Sequence, residues 1–202
     1  MKRLIYQVYV GGKKSNLYET CIESARKYCE KYGIDHIVQT KPILRIRPDI
    51  FTSNRSEESY MKYGGYLPIY EKENAFKYFD RYDQIAIIDA DIFIKDKSFT
   101  KYLKGQSPQQ FLKRYEFQRF VDGLGSWKWS TDQTLLNWWI KKEKMNVKHL
   151  DWKFNALYTA VDENKITDAH FIHFFLKDKL PLGGENVEQL LKQIGVNDAR
   201  GI

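Results

Sequence analysis

Residues 3–10, Arg-Leu-Ile-Tyr-Gln-Val-Tyr-Val, form a run of apolar, β-branched and aromatic side chains closed by Gly11-Gly12, which is the pattern of a strand. Behind it the period changes. Leu17, Cys21, Ile22, Ala25, Tyr28, Cys29 and Tyr32 recur at helical spacing across residues 16–32, with Gly33 placed as a C-cap. Residues 34–39 return to a strand pattern, so the opening 39 residues predict a β-α-β unit, the start of a parallel sheet. Residues 41–66 break all periodicity. Pro42, Pro48, Gly64 and Gly65 punctuate them, and Lys41, Arg45, Arg47, Arg55 and Lys62 add charge, as in a long functional loop. Pro68 can open a helix through Tyr70, Ala75, Phe76 and Phe79. That helix delivers the chain to residues 84–94, Gln-Ile-Ala-Ile-Ile-Asp-Ala-Asp-Ile-Phe-Ile, which read as a strand buried on both faces.

Further on, Ser107-Pro108 starts a helical pattern through Phe111, Leu112 and Tyr115, ended by Gly123 and Gly125. Thr131 fits as N-cap of a helix from Asp132 to about Met145. Residues 147–150 and 169–175 are short strand candidates, and residues 184–194 predict a last amphipathic helix. There are no repeats. The alternation predicts one α/β domain over residues 1–202, with a mixed, mostly parallel sheet flanked by helices.

Within that frame, Asp89-Ala90-Asp91 stands out. Two carboxylates inside an apolar strand are costly to bury unless something positive meets them. Mg²⁺ or Mn²⁺ suits oxygen ligands and can share its remaining positions with phosphate, so the triplet can mark a strand end where a metal–diphosphate group sits. The plainer alternative is a strand that stops at residue 88 and enters a polar turn.

Composition narrows the class only modestly. Hydrophobic residues at 43% and charged residues at 29% fit a globular domain, while aromatics at 15% suit either ring-shaped ligands or a packed core. No apolar stretch reaches membrane-spanning length, and the N-terminus lacks a signal-peptide pattern, so neither a membrane span nor export is expected. Cys21 and Cys29, eight apart on a helical pattern without a CxxC pair, read as reduced thiols rather than a zinc site. A net charge of +7 calls for an anionic partner: nucleic acid, a nucleotide diphosphate or an anionic membrane surface. The basic residues are scattered, and no nucleic-acid recognition motif accompanies them, so no nucleic-acid partner is expected.

Three segments follow the Asp-x-Asp in order: Trp129-Ser130-Thr131-Asp132-Gln133-Thr134-Leu135-Leu136-Asn137, then Leu150-Asp151-Trp152-Lys153-Phe154-Asn155, then Phe171-Ile172-His173-Phe174-Phe175-Leu176-Lys177-Asp178-Lys179. Together with Asp89-x-Asp91, the set resembles the nucleotide-sugar glycosyltransferases of the GT-A fold, most of all glycosyltransferase family 8, over residues 3–180. In that family an "Asp-x-Asp", an "Asp-Gln-x-x-Leu-Asn", a "Leu-x-x-x-(aromatic)-Asn" and a "His-(aromatic)…Lys" segment occur in this order.

The resemblance implies a Rossmann-like GT-A domain that moves a sugar from a nucleoside-diphosphate sugar, UDP-sugar first, to a hydroxyl of a glycan or other acceptor. It implies that Asp89, Asp91 and His173 hold Mn²⁺ or Mg²⁺ on the donor diphosphate. Asp132 and Gln133 would face the donor sugar, Asn155 would shape the pocket wall, and Lys179 would contact the diphosphate. Leu176 replaces the family glycine beside that lysine, so Lys177 competes for the role. Gly11, after the first strand, falls where such a sheet receives nucleobase and ribose, and Lys72 and Asn74 fall where the family places donor-contacting residues. The family's "Phe-Asn-(small)-Gly" strand is missing between Asp91 and Asp132, which leaves the acceptor side undefined. A retaining outcome is implied; an inverting one would need a carboxylate base, for which Asp132, Asp151 and Asp122 are available.

Two other readings follow from the same residues. A catalytically weak nucleotide-sugar or glycan-binding protein would keep the donor side alone. A haloacid-dehalogenase-like phosphohydrolase would use the first Asp as nucleophile, but places it on the first strand. A cytoplasmic enzyme of bacterial, phage or viral origin is the expected setting.

Overall fold

The computed structural model describes residues 1–10, 14–43, 68–95, 140–142 and 144–196. Strand β1 (Arg3–Val8) is followed by helix α1 (Asn16–Tyr32) and strand β2 (Asp35–Gln39). Gly33 ends α1 in the left-handed region at φ 61°, its N–H bonded to the Cys29 carbonyl. A residue with a Cβ is strained there, which is why glycine closes the helix.

The reading of residues 84–94 as one strand is corrected. The chain forms β3 (Gln84–Asp89), turns at Ala90-Asp91, and continues as β4 (Ile92–Ile94) in a different sheet. The first sheet has order β2-β1-β3, and both pairings are parallel, with Val8 opposite Asp89. The second has order β4-β6-β5, where β5 is Ala156–Leu157 and β6 is Phe171–His173. Here β4 runs antiparallel to β6 and β5 parallel to it, which makes the molecule a mixed α/β structure. Most of β3 is half-buried rather than enclosed on both faces.

Three further expectations are adjusted. The helix opened by Pro68 is 3-10, Pro68–Tyr78, because apolar spacing alone does not separate the two helix types. Residues 147–150 form no strand, and Val147 and Leu150 are exposed. The last helix, α3 (Val187–Gln193), starts later than expected because the Asn186 side chain caps it by accepting from the Gln189 N–H. It follows a one-turn helix α2 (Glu163–Ile166) and two short 3-10 turns. The helix expected from Asp132 lies mostly outside the described residues, although 140–142 are helical, and the one expected from Ser107-Pro108 lies wholly outside them.

Packing explains how the two sheets are locked together. Along β1, alternate side chains take opposite faces. Leu4 and Tyr6 pack with Ala75 and Tyr82 on one side, while Ile5 joins Ala25, Tyr28, Cys29 and Ile88 on the α1 side. Ile92 and Ile94 of β4 extend that second layer. Phe93, between them, faces the other way into a core with Leu17, Cys21, Ile172, Phe174 and Leu190. Helix α1 therefore covers both sheets, its first turns on one and its later turns on the other. Burying Phe93, Ile172 and Phe174 stabilises the junction by roughly 1.5–3 kcal/mol per side chain.

Candidate active site

The junction carries the polar groups. Asp89 is the last residue of β3, Asp91 immediately precedes β4, and His173 ends β6 directly opposite Ile92. The Phe174 N–H donates to the Asp91 carbonyl at 3.0 Å, extending the β4–β6 pairing past both residues. The result is that one carboxylate oxygen from each aspartate and one His173 ring nitrogen lie within 4.8 Å of one another. His173 Nε2 is 3.3 Å from Asp91 Oδ1 and 3.8 Å from Asp89 Oδ2.

The hydrogen bonding of His173 bears on whether this set fits a cation. Its Nδ1 lies 3.2 Å from Asn155 Oδ1. With that oxygen as acceptor, Nδ1 carries the proton and Nε2 turns a lone pair toward two carboxylates. Such a grouping repels itself unless a proton or a metal ion sits at its centre. An outer carbonyl orienting a histidine in this way is the usual support for a metal ligand. Two carboxylates and one imidazole suit Mn²⁺ or Mg²⁺, leaving positions for phosphate oxygens. The residues present fit a divalent cation.

One cationic side chain meets the triad directly. Lys72, on the 3-10 helix before β3, places Nζ 2.5 Å from Asp89 Oδ1. Asn74 instead turns inward, its amide donating to the buried Glu71 carboxylate at 2.6 Å. Lys177, after β6, lies 3.7 Å over the ring of Tyr18 and donates to Ser15 Oγ at 3.0 Å. Ser15 holds the N-cap position of α1, yet its hydroxyl serves the lysine rather than the helix. Its N–H donates to the Tyr9 hydroxyl at 3.1 Å, and the Tyr9 and Tyr18 rings meet edge to face. The Tyr18 hydroxyl is pushed up to about 12, first by burial and then by the Asp91 carboxylate, with smaller contributions from Cys21, Asp89 and Tyr9. Burial and Asp91 also push the Cys21 thiol well up, against Lys177.

Lys179, the lysine first matched to the diphosphate contact, is exposed on the 3-10 turn Lys177–Lys179. Leu176 takes φ 60°. The loop keeps the left-handed backbone that glycine would favour, at a cost for a side chain of order 1–3 kcal/mol. Asp151 is committed as the N-cap of residues Trp152–Phe154, accepting from the Lys153 N–H at 3.0 Å. Gly11, Asp122, Asp132 and Gln133 lie outside the described residues. The motifs do not point to Tyr9, Ser15 and Tyr18, whose contacts form only once α1 packs beside β1.

No protein-family model matches the chain, and no curated protein matches its sequence. Among solved structures, the fold is similar to that of a glycosyltransferase involved in the glycosylation of the major capsid of PBCV-1. The TM-score is 0.57 at 12% identity, covering 95% of this chain and 100% of that one. At that identity the likeness is one of fold. Among the described residues, no helix is long and apolar enough to cross a membrane.

Proposed function

We propose that this chain is a metal-dependent glycosyltransferase of the GT-A type, moving a sugar from a nucleoside-diphosphate sugar, UDP-sugar first among them, to an acceptor hydroxyl. The observation that carries the reading is the convergence of Asp89, Asp91 and His173 at the sheet junction of a fold shared with a glycosyltransferase. The viral source of that neighbour also suits the expected setting of a small viral or microbial enzyme.

In the reaction the bond between the anomeric carbon and the diphosphate oxygen breaks. A bond to the acceptor oxygen forms, and the acceptor proton leaves. Negative charge grows on the departing diphosphate. Asp89, Asp91 and His173 would hold a divalent cation, which when bound would supply Lewis-acid stabilisation of that charge. Asn155 holds the His173 ring so that Nε2 faces the carboxylates. Lys72 supplies fixed positive charge against Asp89 and Lys177 a second one over the Tyr18 ring, and preorganised charge of this kind is effective. Tyr9 and Tyr18 stand at the end of β1 as walls for the nucleoside part of the donor. By the resemblance alone, Asp132 and Gln133 would act on the donor sugar.

The test is release of nucleoside diphosphate from a panel of sugar donors with Mn²⁺, with and without candidate acceptors. Slow donor hydrolysis that vanishes in Asp91→Ala supports the proposal. Tight donor binding with no product from any acceptor would instead describe a nucleotide-sugar-binding protein, and phosphate release from a simple monoester would describe a phosphohydrolase.

A further inference from the structure

The side chain of Gln7 is fully buried in the layer between β1 and α1, next to Ile5 on the same face, where an apolar residue would pack without needing partners. An amide placed there must have both its ends satisfied. Its Nε2 donates to the backbone carbonyl of Asp89 at 3.2 Å, and its Oε1 lies 2.8 Å from His36 Nε2. The Asp89 carbonyl fixes which way the amide points, so His36 Nε2 is the donor to Oε1. The His36 ring is half-buried on β2. The link therefore crosses the first sheet from β2, through β1, to the residue at which β3 ends.

We propose that Gln7 is a positioning residue for the metal site: by holding the Asp89 carbonyl, it fixes the peptide that sets the direction of the Asp89 carboxylate. This rests on the metal-site reading above. Asp91 has an equivalent restraint in the Phe174 N–H, and the far end of the segment is held where Ser24 Oγ accepts from the Ile94 N–H at 3.0 Å. Asp89 closes the β1–β3 ladder opposite Val8, and immediately beyond it the chain leaves that sheet through a turn. Gln7 holds the peptide at that exit. Outer groups that orient metal ligands are worth 10–100-fold in affinity, and a group acting through the backbone belongs near the lower end, at about tenfold.

The experiment titrates MnCl₂, without donor, into the wild-type protein, Gln7→Met and Ile5→Val, following bound Mn²⁺ by electron paramagnetic resonance well below each protein's Tm. Ile5→Val loosens the same packed layer without touching Asp89, so it reports what packing alone does. The expected result is a Kd about tenfold weaker for Gln7→Met and unchanged for Ile5→Val. Wild-type affinity in Gln7→Met, or equal weakening in both variants, overturns the proposal. Should Gln7→Met not fold, His36→Ala releases the other end of the amide from the half-buried side; a weaker Kd supports the proposal and an unchanged one overturns it. Absence of Mn²⁺ binding by the wild-type protein is a separate outcome, which removes the metal-site reading and this inference with it.

Discussion

Asp91 and His173 are joined through their backbones before their side chains meet. Ile92 pairs opposite His173, the Phe174 N–H donates to the Asp91 carbonyl at 3.0 Å, and His173 Nε2 reaches Asp91 Oδ1 at 3.3 Å. The ligand pair is therefore as rigid as the β4–β6 ladder that carries it, and that ladder is anchored by Phe93, Ile172 and Phe174 in the core. Rigid presentation of a few groups on strand ends is what a site needs to hold a cation in one geometry.

Asn155 orients His173 through Nδ1, so Asn155→Ala is expected to weaken Mn²⁺ binding by about tenfold. Asn155→Asp keeps an acceptor oxygen and should remain within a few-fold of wild type. Calorimetric titration of both variants checks this. Equal, undiminished affinity in Asn155→Ala would mean that the ring is held by packing alone, against Phe175, whose ring centroid is 5.6 Å away.

Lys72 competes with any cation for Asp89, because its ammonium sits 2.5 Å from Asp89 Oδ1. Lys72→Met should therefore tighten Mn²⁺ binding several-fold in the absence of donor, since a like charge next to the cation is removed. The same variant should bind nucleotide sugar more weakly, having lost a cation beside the diphosphate. Opposite signs in the two titrations are the expected signature. A fall in both affinities would show that Lys72 instead supports the shape of the site.

The two lysines of the Lys177–Lys179 turn should separate cleanly. Lys177 is held against Tyr18 and Ser15, whereas Lys179 is exposed. Lys177→Met is expected to weaken nucleotide-sugar binding by about tenfold, the effect of losing one charge-assisted contact, while Lys179→Met stays near wild type. Competition binding with a fluorescent nucleotide diphosphate measures both. The reverse order would return the role to Lys179.

His36 predicts a pH dependence of stability. Burial of its ring and the charge of Arg26 hold it below the ordinary imidazole range, with Glu23 opposing. The unfolded chain takes up a proton near pH 6.5, while the folded protein does so only at lower pH. Between those values the unfolded state binds more protons, so stability is lost as pH falls below about 6.5 and is retained above it. Urea unfolding at about pH 7.5 and about pH 5.5 should show a smaller pH effect in His36→Gln than in wild type. Identical pH dependence in the two proteins contradicts this.

Much of the first sheet was legible because β1, α1 and β2 each keep one clean period and Gly33 supplies the stop. The break within residues 84–94 was not, because Ile92–Ile94 repeat the composition of Ile85–Ile88 and nothing local marks a change of sheet. The triad's members could be named from the order of motifs, but not their support. The Gln7–Asp89 bond joins residues 82 apart in sequence, and that between His173 and Asn155 joins residues 18 apart. Distances of that kind arise only once strands pair. Similarly, Lys177 and Lys179 look equivalent in sequence; only the folded chain separates them, with Lys177 over the ring of Tyr18 and Lys179 exposed.

The central claim is that Asp89, Asp91 and His173 hold a divalent cation that in turn holds a nucleoside-diphosphate sugar. Thermal unfolding of wild type and Asp91→Asn, with a panel of nucleotide sugars and with or without Mn²⁺, tests it most directly. At a donor concentration about 100 times Kd, binding adds about 2.7 kcal/mol to stability. The account predicts a clear rise in Tm for at least one nucleotide sugar, only with Mn²⁺ present, and no such rise in Asp91→Asn. No stabilisation of the wild-type protein by any nucleotide sugar, with or without metal, would contradict it.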